Sequence, residues 1–214
     1  MTDAATARTI SRRWPLISGI TGVGLVLILG AIIFIRGNIA LEADAEWMEE
    51  ILEHRHPAWE VPSLVMNFIG AGWFAFAVPI VGIIVLLVRR ERWSALYVAL
   101  AIGISAALVQ AIKAFFERPR PVDQIVLIDS GSFPSGHTAN AATLAVVAAI
   151  LFPRLWVWIV APIYVIAMLL SRTYLGVHWL SDTVGGLVLG AAVAIIIWAP
   201  LASRLHRESR RRTH

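Results

Sequence analysis

Long apolar runs dominate this chain and decide what it can fold into. Six runs approach or exceed the roughly 20 apolar residues that cross a bilayer as a helix. Because of these runs, the chain has a hydrophobic fraction of 58% and a mean hydropathy of +0.76. Backbone polar groups inside a bilayer must bond within their own segment, so such runs form helices. The sequence predicts an all-α polytopic membrane protein with six transmembrane helices, at residues 15–35, 62–88, 93–116, 134–152, 155–171 and 177–199.

The first run resembles the start of a signal peptide, because Arg8, Arg12 and Arg13 precede it. It is, however, longer than the roughly 7–15 apolar residues of a signal peptide's central region. We therefore expect a retained membrane helix. The domain organisation that follows is a cytoplasmic N-terminal segment, a six-helix membrane domain and a basic cytoplasmic tail, at residues 1–14, 15–200 and 201–214. In the second run, Pro79 removes a backbone donor and is expected to kink the helix.

Arginines orient the predicted spans. Basic residues are enriched in cytoplasmic loops. Both ends of the chain are rich in arginine, and so are residues 89–92 between spans two and three. This places both termini in the cytoplasm and residues 42–60, 117–133 and 172–177 on the extracytoplasmic side.

Residues 42–60 are acidic, and Met48, Ile51 and Leu52 recur within them at helical spacing. We expect a short amphipathic helix lying at the membrane surface. His54 and His56 are interpreted as solvated histidines rather than metal ligands. In the last span, Gly186 and Gly190 form a GxxxG pair, which indicates either a homodimer contact or incidental small residues.

Some classes of site are excluded by composition. The chain has no cysteine, so it forms neither disulfides nor a thiolate metal site. It has no basic groove interleaved with aromatic residues, so no nucleic-acid partner is expected.

Polar residues that are able to bind a ligand or react are concentrated in three short stretches, at residues 113–121, 134–137 and 171–182. Each lies at the predicted extracytoplasmic end of an apolar run. The three stretches are therefore expected to meet at one face of the membrane.

The third stretch contains His178 and, four residues later, Asp182. That spacing puts two side chains on one face of a helix. A carboxylate there fixes the imidazole tautomer and leaves the other ring nitrogen free to attack. A purely structural His–Asp pair is the alternative.

The second stretch, Pro-Ser-Gly-His, is predicted to begin a helix. Backbone amides at a helix N-terminus favour an anion. Gly136 permits a close approach, Ser135 adds a hydroxyl donor, and His137 is placed to protonate a leaving oxygen. A capping or interfacial histidine is the alternative for His137.

Three cations, Lys113, Arg120 and Arg172, accompany the histidines. Each alone is compatible with a side chain that reaches lipid headgroups. Together with two histidines they suit phosphate, because arginine binds its oxygens in pairs and lysine supplies a point charge. Glu117 and Arg118 lie in the same loop without an assigned role, although Glu117 is able to pair with an arginine.

The pattern Lys-x6-Arg-Pro, Pro-Ser-Gly-His and Ser-Arg-x5-His-x3-Asp resembles the type 2 phosphatidic acid phosphatase superfamily, in particular its membrane branch, and every signature position is filled. The resemblance implies a phosphatase of the bacterial cell membrane acting on a lipid phosphate through a phosphohistidine. It implies His178 as nucleophile, Asp182 as its orienting group and His137 as general acid. The implied phosphate ligands are Lys113, Arg120, Ser135, Gly136 and Arg172. It implies no metal and no other cofactor, and an active site facing the extracytoplasmic side.

The same residues are compatible with other functions. The same motifs occur in phosphatases of soluble phosphate esters, and a non-catalytic lipid-binding or lipid-flipping protein is a third hypothesis. The intact set of His137, His178 and Asp182 argues against the third, because binding alone needs neither a nucleophile nor an acid. The lipid itself is not identified: phosphatidic acid, phosphatidylglycerol phosphate and undecaprenyl pyrophosphate share the headgroup chemistry.

Overall fold

The structure, a computed structural model, describes residues 2–70 and 72–211, and in these ranges all regular elements are helices. The helices are α1 (Thr2–Ile35), α2 (Glu42–Glu53), α3 (Pro57–Gly70), α4 (Gly72–Val88), α5 (Arg92–Phe116), α6 (Gly136–Leu151), α7 (Leu155–Tyr174) and α8 (Leu180–Arg211). The all-α prediction is confirmed.

Four helical segments in the described residues are long and apolar enough to cross a membrane: Arg13–Ile35, Arg92–Phe116, Leu155–Tyr174 and Leu180–Arg210. The pair α3 and α4 passes the same test when taken together, which raises the number to five. At 16 residues, α6 is apolar but shorter than the usual span. The chain is therefore a multi-pass membrane protein, with four to five spans by length and composition where the sequence predicted six.

The predicted run 62–88 is two helices, bent by 52° where α3 gives way to α4. The break lies at Gly70 rather than at Pro79, which sits inside α4. A Cβ at Gly70 would lie 2.6 Å from His137 Cδ2, so the end of α3 packs directly on that histidine. The bend thus brings α3 against the beginning of α6.

Helix α8 extends further than the sequence suggested. It starts at Leu180 rather than residue 177 and continues past residue 200, so residues 201–211 are helical; residues 212–214 lie outside the described residues. Glu208 explains the extension, because its carboxylate accepts hydrogen bonds of 2.9 Å from the backbone amides of Trp93 and Ser94. A carboxylate at the start of α5 is favoured by that helix's dipole. Likewise α1 is helical from Thr2, within the predicted N-terminal segment.

Two glycines of α8 let it pack closely against α6. A Cβ at Gly186 would lie 2.3 Å from the Ser135 carbonyl oxygen, and one at Gly190 would lie 2.1 Å from that of Ala139. The GxxxG pair therefore packs against α6 within the chain. On another side of α8, Gly22 of α1 approaches Ala192.

Residues 42–60 lie beside the end of α7. The Tyr174 hydroxyl donates to the His56 carbonyl at 2.7 Å, and Arg55 donates to the Tyr174 carbonyl at 3.0 Å. In α2, Asp44 and Met48 are buried whereas the side chain of His54 is exposed. The acidic segment is thus attached to the end of the bundle that carries the polar stretches.

Candidate active site

The three polar stretches meet at one end of the helical bundle. Arg120 Nη1 of the first lies 3.2 Å from His178 Nε2 of the third. The backbone amide of Ser135, in the second, donates to the Asp182 carbonyl at 2.8 Å. The expected convergence of the three stretches is therefore observed.

His178 and Asp182 form a buried pair. Nδ1 of His178 lies 3.5 Å from Asp182 Oδ2, and the two side chains are 3% and 0% exposed. That separation is longer than an ordinary hydrogen bond, and Nδ1 has no other partner among the described residues. Asp182 Oδ2 also accepts from the Trp179 amide at 2.9 Å, which holds the carboxylate at the start of α8.

A turn, not a helix, carries the histidine. His178 precedes α8 by two residues, in the connection that follows α7. Gly176 in this turn has φ of +67°, and a Cβ there would lie 2.3 Å from the Asp123 carbonyl oxygen. Only glycine combines that conformation with that contact. The connection is thereby held against the 117–133 loop, with His178 facing Arg120.

The electrostatic surroundings keep His178 neutral. Burial lowers its pKa well below the ordinary value of 6.5, and the positive charges of Arg120, Lys113 and Arg172 lower it further. A buried imidazole surrounded by cations disfavours its own protonation. The side chain therefore carries a free lone pair at neutral pH, as a nucleophile requires.

The three cations are held by neutral groups. Lys113 donates to the carbonyls of Gly131 and Ser132. Arg120 donates to the Ser130 and Val177 carbonyls, among others.

Arg172 donates to Asn67 Oδ1 at 2.8 Å and to Ser171 Oγ at 3.1 Å, while its buried Nε has no partner among the described residues. None of Lys113, Arg120 and Arg172 forms an ion pair with a carboxylate in the described part of the chain. A partly or fully buried charge needs a counter-charge, so this arrangement favours a bound anion.

The second stretch, residues 134–137, leads into α6 beside Asp182. Ser135 is the N-cap of α6 and is fully buried, with its Oγ 3.1 Å from Thr138 Oγ1. A Cβ at Gly136 would make only an ordinary 3.5 Å contact with Val109, so protein packing does not require glycine there. The expected close approach of a ligand at Gly136 stays a prediction.

His137 lies in the first turn of α6 and is half-buried, and its buried Nε2 has no hydrogen-bond partner among the described residues. It lines a cavity of about 270 Å³ together with Gly70, Phe76, Gln110 and Asn140. This cavity provides room beside His137 for part of a ligand.

Sequence reasoning missed the role of Arg118, which lies two residues from Arg120 but is 1% exposed. It donates to Asp182 Oδ1 at 2.6 Å and to Asp44 Oδ2 at 2.7 Å. The Lys-x6-Arg-Pro pattern selects Arg120 and leaves Arg118 without an indicated role. Glu117 is exposed and ends α5 with φ of 44°, and it forms no ion pair in the described residues.

Helix α3 also contributes hydrogen-bond acceptors to the site. Asn67 accepts from Arg172, and the Ser63 carbonyl accepts from Ser171 Oγ at 3.0 Å. The signal for Asn67 was present in the sequence, because a polar side chain inside an apolar run is costly and marks a candidate functional position.

One group of acidic and histidine side chains in the described residues has the spacing of metal ligands: Glu50, Glu53 and His54. All three are exposed on or next to α2, and none belongs to the three polar stretches. Nothing connects this group with the chemistry around His178.

Comparisons with known proteins agree with this geometry. The family model of the PAP2 superfamily matches residues 94–204, slightly more than half of the chain and all three polar stretches. Phosphatidylglycerophosphatase B of Bacillus subtilis is 33% identical over 139 residues, which cover 60% of this chain and 62% of that protein. Undecaprenyl-diphosphatase of Sulfolobus acidocaldarius is 28% identical over 120 residues, covering 53% and 58%. The matched region thus spans about three fifths of these relatives.

Two solved structures share the fold. The crystal structure of the first transmembrane PAP2 type phosphatidylglycerolphosphate phosphatase from Bacillus subtilis has a TM-score of 0.73 at 27% identity, covering 84% of this chain and 94% of that one. The crystal structure of Aquifex aeolicus LpxE has a TM-score of 0.63 at 29% identity, covering 72% and 93%.

Proposed function

Because the chain belongs to the PAP2 superfamily, we propose that it is a membrane lipid phosphatase that works through a phosphohistidine at His178. The observation that carries this proposal is the charge arrangement. Three cations without a carboxylate partner in the described residues surround a neutral, buried imidazole, and its Nε2 lies 3.2 Å from Arg120 Nη1. A phosphate group supplies the missing negative charge and the atom to be attacked.

In the proposed first step, His178 Nε2 attacks phosphorus, and the bond between phosphorus and the lipid oxygen breaks. His137 gives its proton to that oxygen, so the lipid leaves as an alcohol or, from a diphosphate, as a monophosphate. In the second step water attacks phosphorus, His137 takes a proton from the water, and the bond between phosphorus and His178 Nε2 breaks, which releases inorganic phosphate and the free imidazole. In the intermediate between the two steps, Asp182 stabilises the positive charge on the imidazole of His178.

Lys113, Arg120 and Arg172 bind the phosphate oxygens in this scheme, with Ser135 and the backbone at Gly136 completing the cradle at the start of α6. Phosphoryl transfer depends mainly on positioning and charge stabilisation, which fixed cations provide. No step needs a metal ion.

We further propose six membrane spans, with α3 and α4 together forming one bent span and the short α6 forming another. The active site then faces the extracytoplasmic side of a bacterial cell membrane, and α2 lies at the membrane surface beside it. Support comes from the arginines at residues 89–92, which precede or begin α5, the helix whose last turn carries Lys113.

The proposed substrates are lipids with a terminal phosphate or diphosphate: phosphatidylglycerol phosphate, phosphatidic acid or undecaprenyl pyrophosphate. The names of the relatives support this class, since they include a phosphatidylglycerophosphatase and an undecaprenyl-diphosphatase. The cavity beside His137 supports it too, because its lining includes the apolar side chains Phe76, Ile102 and Val109.

The test is phosphate release by the purified, detergent-solubilised protein on these three lipids and on a soluble sugar phosphate. We expect release from at least one lipid, and none from His178→Ala. His54→Ala, which removes an exposed histidine, is the matched control and should behave as the wild type. Turnover of the soluble ester alone, or of no substrate, would contradict the proposal.

A further inference from the structure

We propose that Asp44 of α2 is a positioning residue for the proposed reaction: through Arg118 it leaves Asp182 with the negative charge that His178 needs. The inference rests on the proposed function of His178 as nucleophile. It gives a role to the acidic segment and to Arg118, neither of which the sequence explained.

The geometry is one guanidinium shared by two carboxylates. Arg118 Nη1 lies 2.6 Å from Asp182 Oδ1, and Nη2 lies 2.7 Å from Asp44 Oδ2. All three side chains are at most 1% exposed. The group therefore carries one net negative charge in surroundings where water does not screen it.

Asp182 uses its two oxygens differently. Oδ1 accepts from Arg118, whereas Oδ2 is the oxygen that faces His178 Nδ1. When Nε2 bonds to phosphorus, the imidazole keeps its proton on Nδ1 and becomes positively charged. The stabilisation available from Asp182 then depends on how much of its charge Arg118 cancels.

Asp44 limits that cancellation. An isolated Arg118–Asp182 pair would be neutral as a unit and would present little net charge to the imidazole. The carboxylate of Asp44 also binds the Arg118 guanidinium, so the group of three side chains keeps one net negative charge. Removing the charge of Asp44 while keeping its shape should therefore weaken the phosphohistidine step.

The position of Asp44 is fixed by the residue next to Asp182. The Ser181 amide donates to Asp44 Oδ1 at 2.8 Å, and the Ser181 hydroxyl donates to Oδ2 at 2.7 Å. These bonds also fasten α2 to the start of α8, so a merely structural clamp is the competing explanation.

The experiment compares Asp44→Asn, Asp44→Glu and Ser181→Ala with the wild type. Substitution of Arg118 is avoided because it would leave two buried carboxylates unpaired. For each variant we measure kcat, the inhibition constant of inorganic phosphate, and the thermal midpoint in detergent. Glu46→Gln is the matched control, because it removes the same charge from an exposed position of α2.

We expect Asp44→Asn to lower kcat by about 10–100-fold, the loss found when an outer hydrogen-bond partner of a metal-binding histidine is removed. Phosphate inhibition should stay within about threefold of wild type, because Lys113, Arg120 and Arg172 are untouched. Asp44→Glu keeps the charge and should recover most of kcat even if its midpoint falls. Ser181→Ala should lower the thermal midpoint, but it should lower kcat less than Asp44→Asn does.

Two results would overturn the inference. One is wild-type kcat in Asp44→Asn; the other is equal losses of kcat in Asp44→Asn and Asp44→Glu that follow their thermal midpoints, which indicates a clamp only. If the wild type and Glu46→Gln release phosphate, either result leaves the proposed function standing. If neither releases phosphate, the proposed function fails and this inference fails with it.

Discussion

The contact between α6 and α8 predicts that one methyl group will damage both stability and activity. In Gly186→Ala the new Cβ would lie 2.3 Å from the Ser135 carbonyl oxygen and 3.2 Å from the Ala139 amide nitrogen. Both neighbours are backbone atoms, so no side chain can rotate away and the helices must separate. Overpacking of this kind costs about 1–3 kcal/mol.

The expected fall in the thermal midpoint is roughly 2–12 °C, since 1 kcal/mol shifts Tm by about 2–4 °C for a domain of this size. Activity should fall as well, because Ser135 caps the helix that is pushed away and His137 lies in its first turn. The assay is thermal unfolding in detergent together with phosphate release on a lipid substrate.

Gly103→Ala is the control, because a Cβ at this position in α5 meets no atom within 4 Å. Replacing a helical glycine by alanine there should leave Tm unchanged or raise it, since alanine favours a helix by up to about 1 kcal/mol. If Gly186→Ala matched Gly103→Ala in both Tm and turnover, the close approach of α8 to Ser135 would be refuted.

Three further predictions follow from the orientation and the chemistry. In intact cells, a cysteine introduced at Glu49 should react with an impermeant thiol reagent and one at Ser209 should not; the opposite pattern would reverse the topology. Activity should persist in excess EDTA and be inhibited by vanadate, whereas a loss that magnesium restores would contradict fixed-cation catalysis. Because burial and neighbouring cations lower the pKa of His178, protonation should inactivate it only well below its ordinary value of 6.5. The acidic limb of kcat/KM should therefore lie below that pH, and a limb centred above it would argue against a buried, neutral nucleophile.

The position of the candidate site could be predicted from the sequence, because its residues lie in short stretches. Lys113, Ser135, His137 and His178 lie at the ends of apolar runs, and the membrane forces such ends to one of two faces. The orientation rule then collects them on the same face, so their meeting did not require knowledge of the packing. Apolar spacing predicted a helix in residues 42–60; the structure has one at Glu42–Glu53, and α3 begins at Pro57.

Contacts between distant segments could not be predicted in the same way. Arg118 and Asp44 are 74 positions apart, and nothing near either residue indicates its partner. Gly186 and Gly190 were recognisable as a packing motif, but the pattern does not say whether the partner is a second chain or α6. The extension of α8 depends on the contact between Glu208 and the start of α5. The hydropathy falls after residue 200, so the sequence predicted a tail there rather than a helix.

The central claim is that His178 carries the phosphate during turnover. Rapid acid-free quenching of the enzyme with p-nitrophenyl phosphate, followed by mass spectrometry of its peptides, measures this directly. The intermediate should accumulate in His137→Ala, because nitrophenolate leaves without a proton whereas water attack loses its base. We predict phosphate on the peptide that contains His178 and none in His178→Ala. Phosphate on another residue, or an intermediate that survives in His178→Ala, would contradict the account.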